Sequence, residues 1–438
     1  MILVKVAALM NTIKHVIMGY ASYILIGWLL LCLPIAQQTY DVCALDNLFT
    51  ASSAVSTTGL VTVSVSDHYS FLGQIIILLM IQLGGVGYMT FGSFIILMRK
   101  QTFTNQRNEI AKTVFSLPHD FKITKFIVSV ITFTFIIETI GAVALYRIFL
   151  SLNVENPLWS AIFHSVSSFC TAGFGLYNNS FESYSANGWL IIVIAALSYL
   201  GAIGFIVCMD LWRKIRKEVA HITLTSKIIL HATFWISIVG TVLLFISEPS
   251  IQSLPAEEQW LASFFQVMTA MTTVGFNTIP IGELSRATLL LIIILMVIGA
   301  SPSGTGGGLK TTTFTAMFGI MKSTVHGSND VTFWKRSIPQ ERLMTASASV
   351  GFYVSSLLLG LYLLSLTESQ PFESLFFETA SALGTVGLST GITSSLTELG
   401  KIIVILLMFI GRLGTITFGI ALFHKEHILL NEKDDLAV

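Results

Sequence analysis

The sequence predicts an all-α polytopic membrane protein: four pseudo-symmetric helix–pore helix–filter–helix repeats, eight spans in all, around a central pore. Three observations predict it. Of 438 residues, 53% are hydrophobic and only 11% are charged, against about 25% charged in a soluble domain. A pattern built on Thr-x-Gly recurs four times, each time after an apolar stretch. Lysine and arginine concentrate in alternate connections.

The elements follow in order. A crossing helix needs about 20 apolar residues. Candidate spans lie near 15–36, 71–98, 126–150, 188–212, 227–247, 287–322 (interrupted), 343–366 and 399–423. The first lacks a small-residue cleavage site and reads as a retained helix rather than a signal peptide. Within each pair lies a shorter segment, at 44–57, 158–171, 259–273 and 372–385. Segments of that length suit re-entrant helices. The repeats divide as 1–100, 101–217, 218–324 and 325–438, the third with a broken second helix.

Basic residues set the orientation. Connection 99–125 holds Arg99, Lys100, Arg107, Lys112, Lys122 and Lys125, and 213–227 holds Arg213, Lys214, Arg216, Lys217 and Lys227. Connection 322–342 holds Lys322, Lys335, Arg336 and Arg342, whereas 37–70 and 367–398 hold none. The positive-inside rule places both termini in the cytoplasm and brings the four Thr-x-Gly segments in from outside. The net charge of zero gives no reason to expect a nucleic-acid partner. Cys32, Cys43, Cys170 and Cys208 lack metal-ligand spacing, and no disulfide framework is expected.

The repeated pattern reads Thr57-Thr58-Gly59, Thr171-Ala172-Gly173, Thr273-Val274-Gly275 and Thr385-Val386-Gly387. Ahead of each glycine come a phenylalanine (Phe49, Phe163, Phe265, Phe377) and a hydroxyl (Ser53, Ser167, Thr269, Ser381). Irregular backbone at membrane depth is tolerated only inside protein or along a water-filled path. Glycine reaches φ values that turn carbonyls inward, and rings of carbonyls replace the hydration shell of a monovalent cation. The middle residues are expected to point away and pack the filter from behind. No ring of Asp or Glu suggests a divalent-cation filter. One chance Thr-Gly pair is loop punctuation, but four aligned copies are a repeat. The residue just after each phenylalanine is polar (Thr50, His164, Gln266, Glu378), which reads as capping and packing, with Glu378 as an attractor of cations at the outer mouth.

The second helices carry Gly84, Gly201, Gly299 and Gly411 at similar depth. After Gly299 the third departs from the others: Pro302, Gly304, Gly306, Gly307 and Gly308 precede Lys310, and such a segment cannot continue a helix. It reads as a gate across the path. A phosphate-binding loop is excluded by Leu309 before the lysine. A serine protease built on Ser303 lacks a matching base, so no enzyme is expected. A glycine-rich kink that only permits close packing stays open. Arg412 is a costly charge mid-helix. It is expected to repel cations, act as a tethered counter-charge, or anchor the gate loop through its carbonyls, working with the loop rather than the filter. Glu138 is expected to have a structural partner.

These motifs resemble the membrane subunit of KtrB-type potassium uptake systems in the Trk/Ktr/HKT superfamily. The resemblance covers nearly the whole chain. It implies a potassium-selective, channel-like uptake protein of the bacterial cytoplasmic membrane, with potassium in the filter and sodium as a second ion that stimulates many members. It further implies a homodimer and a cytoplasmic RCK-type nucleotide-binding regulatory ring (KtrA-like). No Rossmann fingerprint occurs in this chain, so nucleotide control would come from that partner. The basic loops could dock the ring or lie against anionic lipid. The competing reading is a sodium-coupled secondary transporter of another solute, which would show inverted repeats and matching helix breaks in both halves.

Overall fold

The computed structural model describes residues 2–39, 42–87, 123–328, 330–414 and 418, with side chains from 16 onward in the first helix and from 127 onward in the fourth. The basic stretch 99–122 and most of 415–438 lie outside these residues.

Four stretches of chain repeat one order: long helix, short helix, non-helical strand, second helix. They are α1 (Ile2–Leu31), α2 (Ala44–Ser56) and α3 (Phe71–Val86); α4 (Ile123–Ser151), α5 (Pro157–Phe169) and α6 (Gly188–Ile203), with a further α7 (Phe205–Ile215); α8 (Leu224–Ser247), α9 (Ala256–Thr272) and α10 (Arg286–Val297), followed by α11 (Thr311–Val325); and α12 (Gln340–Thr367), α13 (Phe372–Gly384) and α14 (Glu398–Leu413). A two-residue antiparallel pair, β1 (Thr332–Phe333) and β2 (Arg336–Ser337), joins α11 to α12.

Each second helix starts on a side-chain cap. Ser70, Asn187, Ser285 and Thr397 accept from the backbone N–H three residues on, at 3.2, 3.0, 3.3 and 3.1 Å. Such caps satisfy donors that a helix start leaves free. The second helices also bind the units together. α3 packs on α5, α6 on α9, α10 on α13, and α14 returns to α2. Two buried apolar clusters interlock, since Phe265 and Phe276 join the first and Phe49 and Leu60 the second.

The sequence led us to expect one broken second span. Instead the helices end at Val86, Ile203 and Leu413 as well as at Val297. Gly87, Gly204 and Gly414 follow three of these ends at φ of 87°, 96° and 84°, a region that favours glycine. The expected span 188–212 is therefore two helices bent by 96°; 88–98 lie outside the described residues. Among the described residues, three helices are long and apolar enough to cross a membrane, ending at Ser151, Ser247 and Thr367. Gly84, Gly201 and Gly411 lie against the carbonyls of Val55, Phe169 and Leu383 near the ends of the short helices, where a Cβ would overlap backbone. These glycines let the second helices approach that closely.

Candidate functional site

The short helices aim their C-termini at one place. Each is followed by a threonine in the left-handed region, directly in three units and after Cys170 in the second: Thr57, Thr171, Thr273 and Thr385, at φ of 52°, 50°, 60° and 51°. Two residues on, Gly59, Gly173, Gly275 and Gly387 also have positive φ, at 95°, 68°, 82° and 93°. A Cβ on Gly59 would stand 2.5 Å from Ala172 O. In the same way Gly173 faces Val274 O, Gly275 faces Val386 O, and Gly387 faces Thr58 O. The four strands thus close on themselves in chain order, and glycine is required by both dihedral and space. Thr58, Ala172, Val274 and Val386 are fully buried, as expected of residues packing behind the ring.

The support behind the strands differs between units. Ser53 Oγ accepts from Gly59 N at 3.0 Å, and Ser381 Oγ accepts from Gly387 N at 3.1 Å. The equivalent Ser167 and Thr269 hydroxyls have no hydrogen-bond partner among the described residues. The polar residues after the phenylalanines fasten the chain that continues past the ring. Tyr69 donates to Thr50 at 3.2 Å, Leu176 N donates to His164 Nε2 at 3.3 Å, and Gln266 Nε2 lies 3.5 Å from Thr278 Oγ1. Glu378 is fully buried and accepts from the Ser389 and Thr393 hydroxyls. It braces its own strand and is not at the mouth where we expected it.

On one side of the ring opens a cavity of about 600 Å³ lined by all four glycines. The charged residues on its wall are Glu182 and Glu283, with no lysine or arginine among the lining residues. Burial raises the Glu182 carboxyl above its ordinary value and the Glu283 charge adds to this, against the opposing effect of the Asn277 amide that donates to it at 2.6 Å. These two carboxylates were missed in the sequence, where nothing marks them as neighbours.

On the other side lies the segment between α10 and α11, its neck closed by a parallel bridge between Ile298 and Leu309. It reaches every threonine of the ring. Thr57 Oγ1 donates to Thr305 O at 3.2 Å, the Thr171 and Thr305 hydroxyls are 3.1 Å apart, and Gly307 N donates to Thr385 Oγ1 at 3.0 Å. Gly306 rests on the Thr273 hydroxyl, and neither Gly306 nor Gly307 has room for a Cβ. Gly304 lies against Ala202 O, Gly308 turns at φ of 71°, and Pro302 O faces Gly204. Lys310 Nζ donates to Gly306 O at 2.9 Å. Thr305 is the contact that sequence reasoning passed over, although it stands between two glycines that already signalled crowding.

Arg412 donates to the carbonyls of Thr305 and Gly84, and to Thr57 Oγ1 at 2.8 Å. The expected bond to the loop is present, but a ring threonine is held too, which corrects the division between loop and filter. Glu138 accepts from Gln82 Nε2 at 3.2 Å, a structural partner of the kind expected.

The model of the TrkH family, described as cation transport proteins, matches residues 7–427. The chain belongs to this family. TrkH-family relatives include the Ktr system potassium uptake protein B of Vibrio alginolyticus, 33% identical over 427 residues that span 96% of this chain and 93% of that one. The potassium/sodium uptake protein NtpJ of Enterococcus hirae is 34% identical over 434 residues, 97% of this chain and 95% of that one. The structure of the potassium transporter TrkH from Vibrio parahaemolyticus has a TM-score of 0.70 at 20% identity, over 92% of this chain and 84% of that one. It shares the fold. As a TrkH-family member the chain is a cation transport protein, not an enzyme.

Two predictions follow from this geometry. Ser53→Ala and Ser381→Ala remove the acceptor of a partly buried N–H and should each lower stability by about 1 kcal/mol. Ser167→Ala should cost little; thermal unfolding in detergent compares them, and equal losses at all sites would refute the asymmetry. Replacing Glu182 and Glu283 together by glutamine should raise the cation concentration for half-maximal uptake at low ionic strength. The difference should vanish near 1 M inert salt, where screening acts within about 3 Å.

Proposed function

We propose that this chain carries potassium into a bacterial cell along a channel-like path, selected by the four-strand ring and gated by the segment 299–310. The single observation that carries the reading is the closed contact of each ring glycine with the next strand's carbonyl, with the gate segment bonded beneath the ring threonines. Stacked carbonyls of this kind suit a bare monovalent cation. The names of the relatives, potassium uptake and potassium/sodium uptake, support the same cargo.

In this reading the chain has eight crossing segments in four repeats divided at 100, 217 and 324. Both termini are cytoplasmic, by the distribution of lysine and arginine. The cavity with Glu182 and Glu283 then faces outward and gathers cations. The family resemblance adds a homodimer and a regulatory RCK ring, and the "Ktr system" names support a partnered arrangement. The sodium-coupled carrier is the weaker reading. A single broken span no longer argues against it, because the second helix is interrupted in the second unit as well as in the third. What disfavours it is the ring, where each glycine meets the next strand's carbonyl, an arrangement suited to a bare ion rather than a larger solute. Growth rescue of a potassium-uptake-deficient bacterium at low potassium tests the proposal, and failure with a correctly inserted protein would remove it.

Three further outcomes are expected. Gly59→Ser or Gly275→Ser should lower potassium-over-sodium selectivity in tracer uptake while the protein still inserts, and unchanged selectivity in all four such variants would sink the filter assignment. Shortening 302–309 should raise maximal uptake with little change in apparent affinity. Arg412→Ala should also raise it, with little further gain when combined, and should in addition shift selectivity through Thr57. Gains that multiply independently would show that Arg412 acts elsewhere.

A further inference from the structure

The break between α6 and α7 is where the gate segment is fastened. Ending α6 at Ile203 frees carbonyls, and starting α7 at Phe205 frees N–H groups. The segment uses both. Ser301 N donates to Ala202 O at 3.0 Å and Thr305 N to Gly201 O at 3.1 Å. Phe205 N donates to Ser303 O at 3.2 Å, and Ile206 N to Ser303 Oγ at 3.2 Å. A Cβ on Gly204 would stand 2.5 Å from Pro302 O. Ser303 is therefore held by the first turn of α7.

The rest of α7 has the character of a helix lying at a membrane surface. Its 11 residues are too few to cross, and it turns 96° away from α6. Asp210, buried, accepts from the Thr223 N–H and from the Thr223 and Ser226 hydroxyls at the start of α8. As α8 is long enough to cross, this ties α7 to the level of one end of a crossing helix. Phe205, Ile206 and Val207 are buried, whereas Leu211, Trp212 and Ile215 are 37%, 56% and 73% exposed. Leu211 and Ile215 are one turn apart on the same face. Around them stand Arg213, Lys214, Arg216 and Lys217, with Arg216 over the Trp212 ring at 4.8 Å and Glu218 3.7 Å from Arg213 Nε. A short helix with tryptophan and aliphatics on one face, edged by cations, binds the boundary of anionic membranes.

We propose that α7 couples the gate to anionic lipid: its basic, tryptophan-bearing end docks on phosphate headgroups, and its first turn passes that docking to the gate segment through Ser303. This rests on the reading of 299–310 as a gate. The exposed aliphatic face favours a lipid surface over an acidic protein, since docking sinks Leu211, Trp212 and Ile215 into the acyl boundary. In this structure the first turn of α7 is bonded to the segment while the segment lies under the ring, and a ligand that binds this arrangement populates it. Anionic lipid therefore holds the gate shut.

The test uses the full chain in phosphatidylcholine vesicles with rising phosphatidylglycerol, read by rubidium tracer uptake. Uptake should fall roughly fivefold as the anionic fraction rises, and soluble glycerol phosphate should do nothing. Replacing Arg213, Lys214, Arg216 and Lys217 by glutamine should flatten the response, as should the milder Trp212→Ser. Ser303→Ala should weaken the response although every cation remains. A charge-free variant that responds like the parent overturns the proposal. So does a response to soluble glycerol phosphate. A chain with 302–309 shortened separates the two readings: raised uptake with unaltered lipid response in the four-site variant removes the lipid coupling alone, while unchanged uptake removes the gate as well.

Discussion

A peptide group buried at membrane depth must find its hydrogen-bond partner inside the protein. The ring strands and the segment beneath them are non-helical, with the ring threonines, Ser301 and Thr305 buried, so their neighbours are recruited to serve them. Ser53 and Ser381 take the N–H groups of ring glycines. The open end of α6 takes the N–H groups of Ser301 and Thr305 in the segment between α10 and α11. The breaks in the second helices, which look like defects in a spanning element, are what make free carbonyls and amides available at this depth.

Arg412 belongs to the same economy of partners, with one difference. Its bonds go to carbonyls and a hydroxyl, not to a carboxylate. Hydrogen bonds of a charged donor are stronger than neutral ones, yet they leave the positive charge in place. Lys310 adds a second amine on the same side, bonded to Gly306 O. The space under the ring is thus filled by backbone and also carries the Arg412 guanidinium, so it opposes a cation by volume and by field. The opposite side has the reverse character, with Glu182 and Glu283 on an open wall.

The architecture was legible because a repeat amplifies weak signals. Phe49, Phe163, Phe265 and Phe377 are all buried, and the four Thr-x-Gly segments do meet. Glycine was also the source of the main error. Gly87, Gly204 and Gly414 sit in apolar runs where a small residue reads equally well as close packing or as a break, and only the positive φ separates these. Partnerships across units were the other gap. Nothing in spacing links Thr305 to Thr171, Arg412 to Thr57, or Glu182 to Asn277, because such pairs depend on how separate hairpins close around the axis. Glu378 was misjudged for a related reason: its carboxylate suggested solvent, whereas the turn after the ring supplies two hydroxyls that let it stay buried.

The ring is drawn from a single polypeptide, and its four strands are not identical. Thr58 stands where the others have Ala172, Val274 and Val386, and only two strands have a serine holding the glycine N–H. In an assembly of four equal subunits, a codon change alters all four positions around the axis at once. Here it alters one quadrant. The ring can therefore be modified in graded steps, a quarter at a time, and its quadrants already differ in whether a serine holds the glycine N–H.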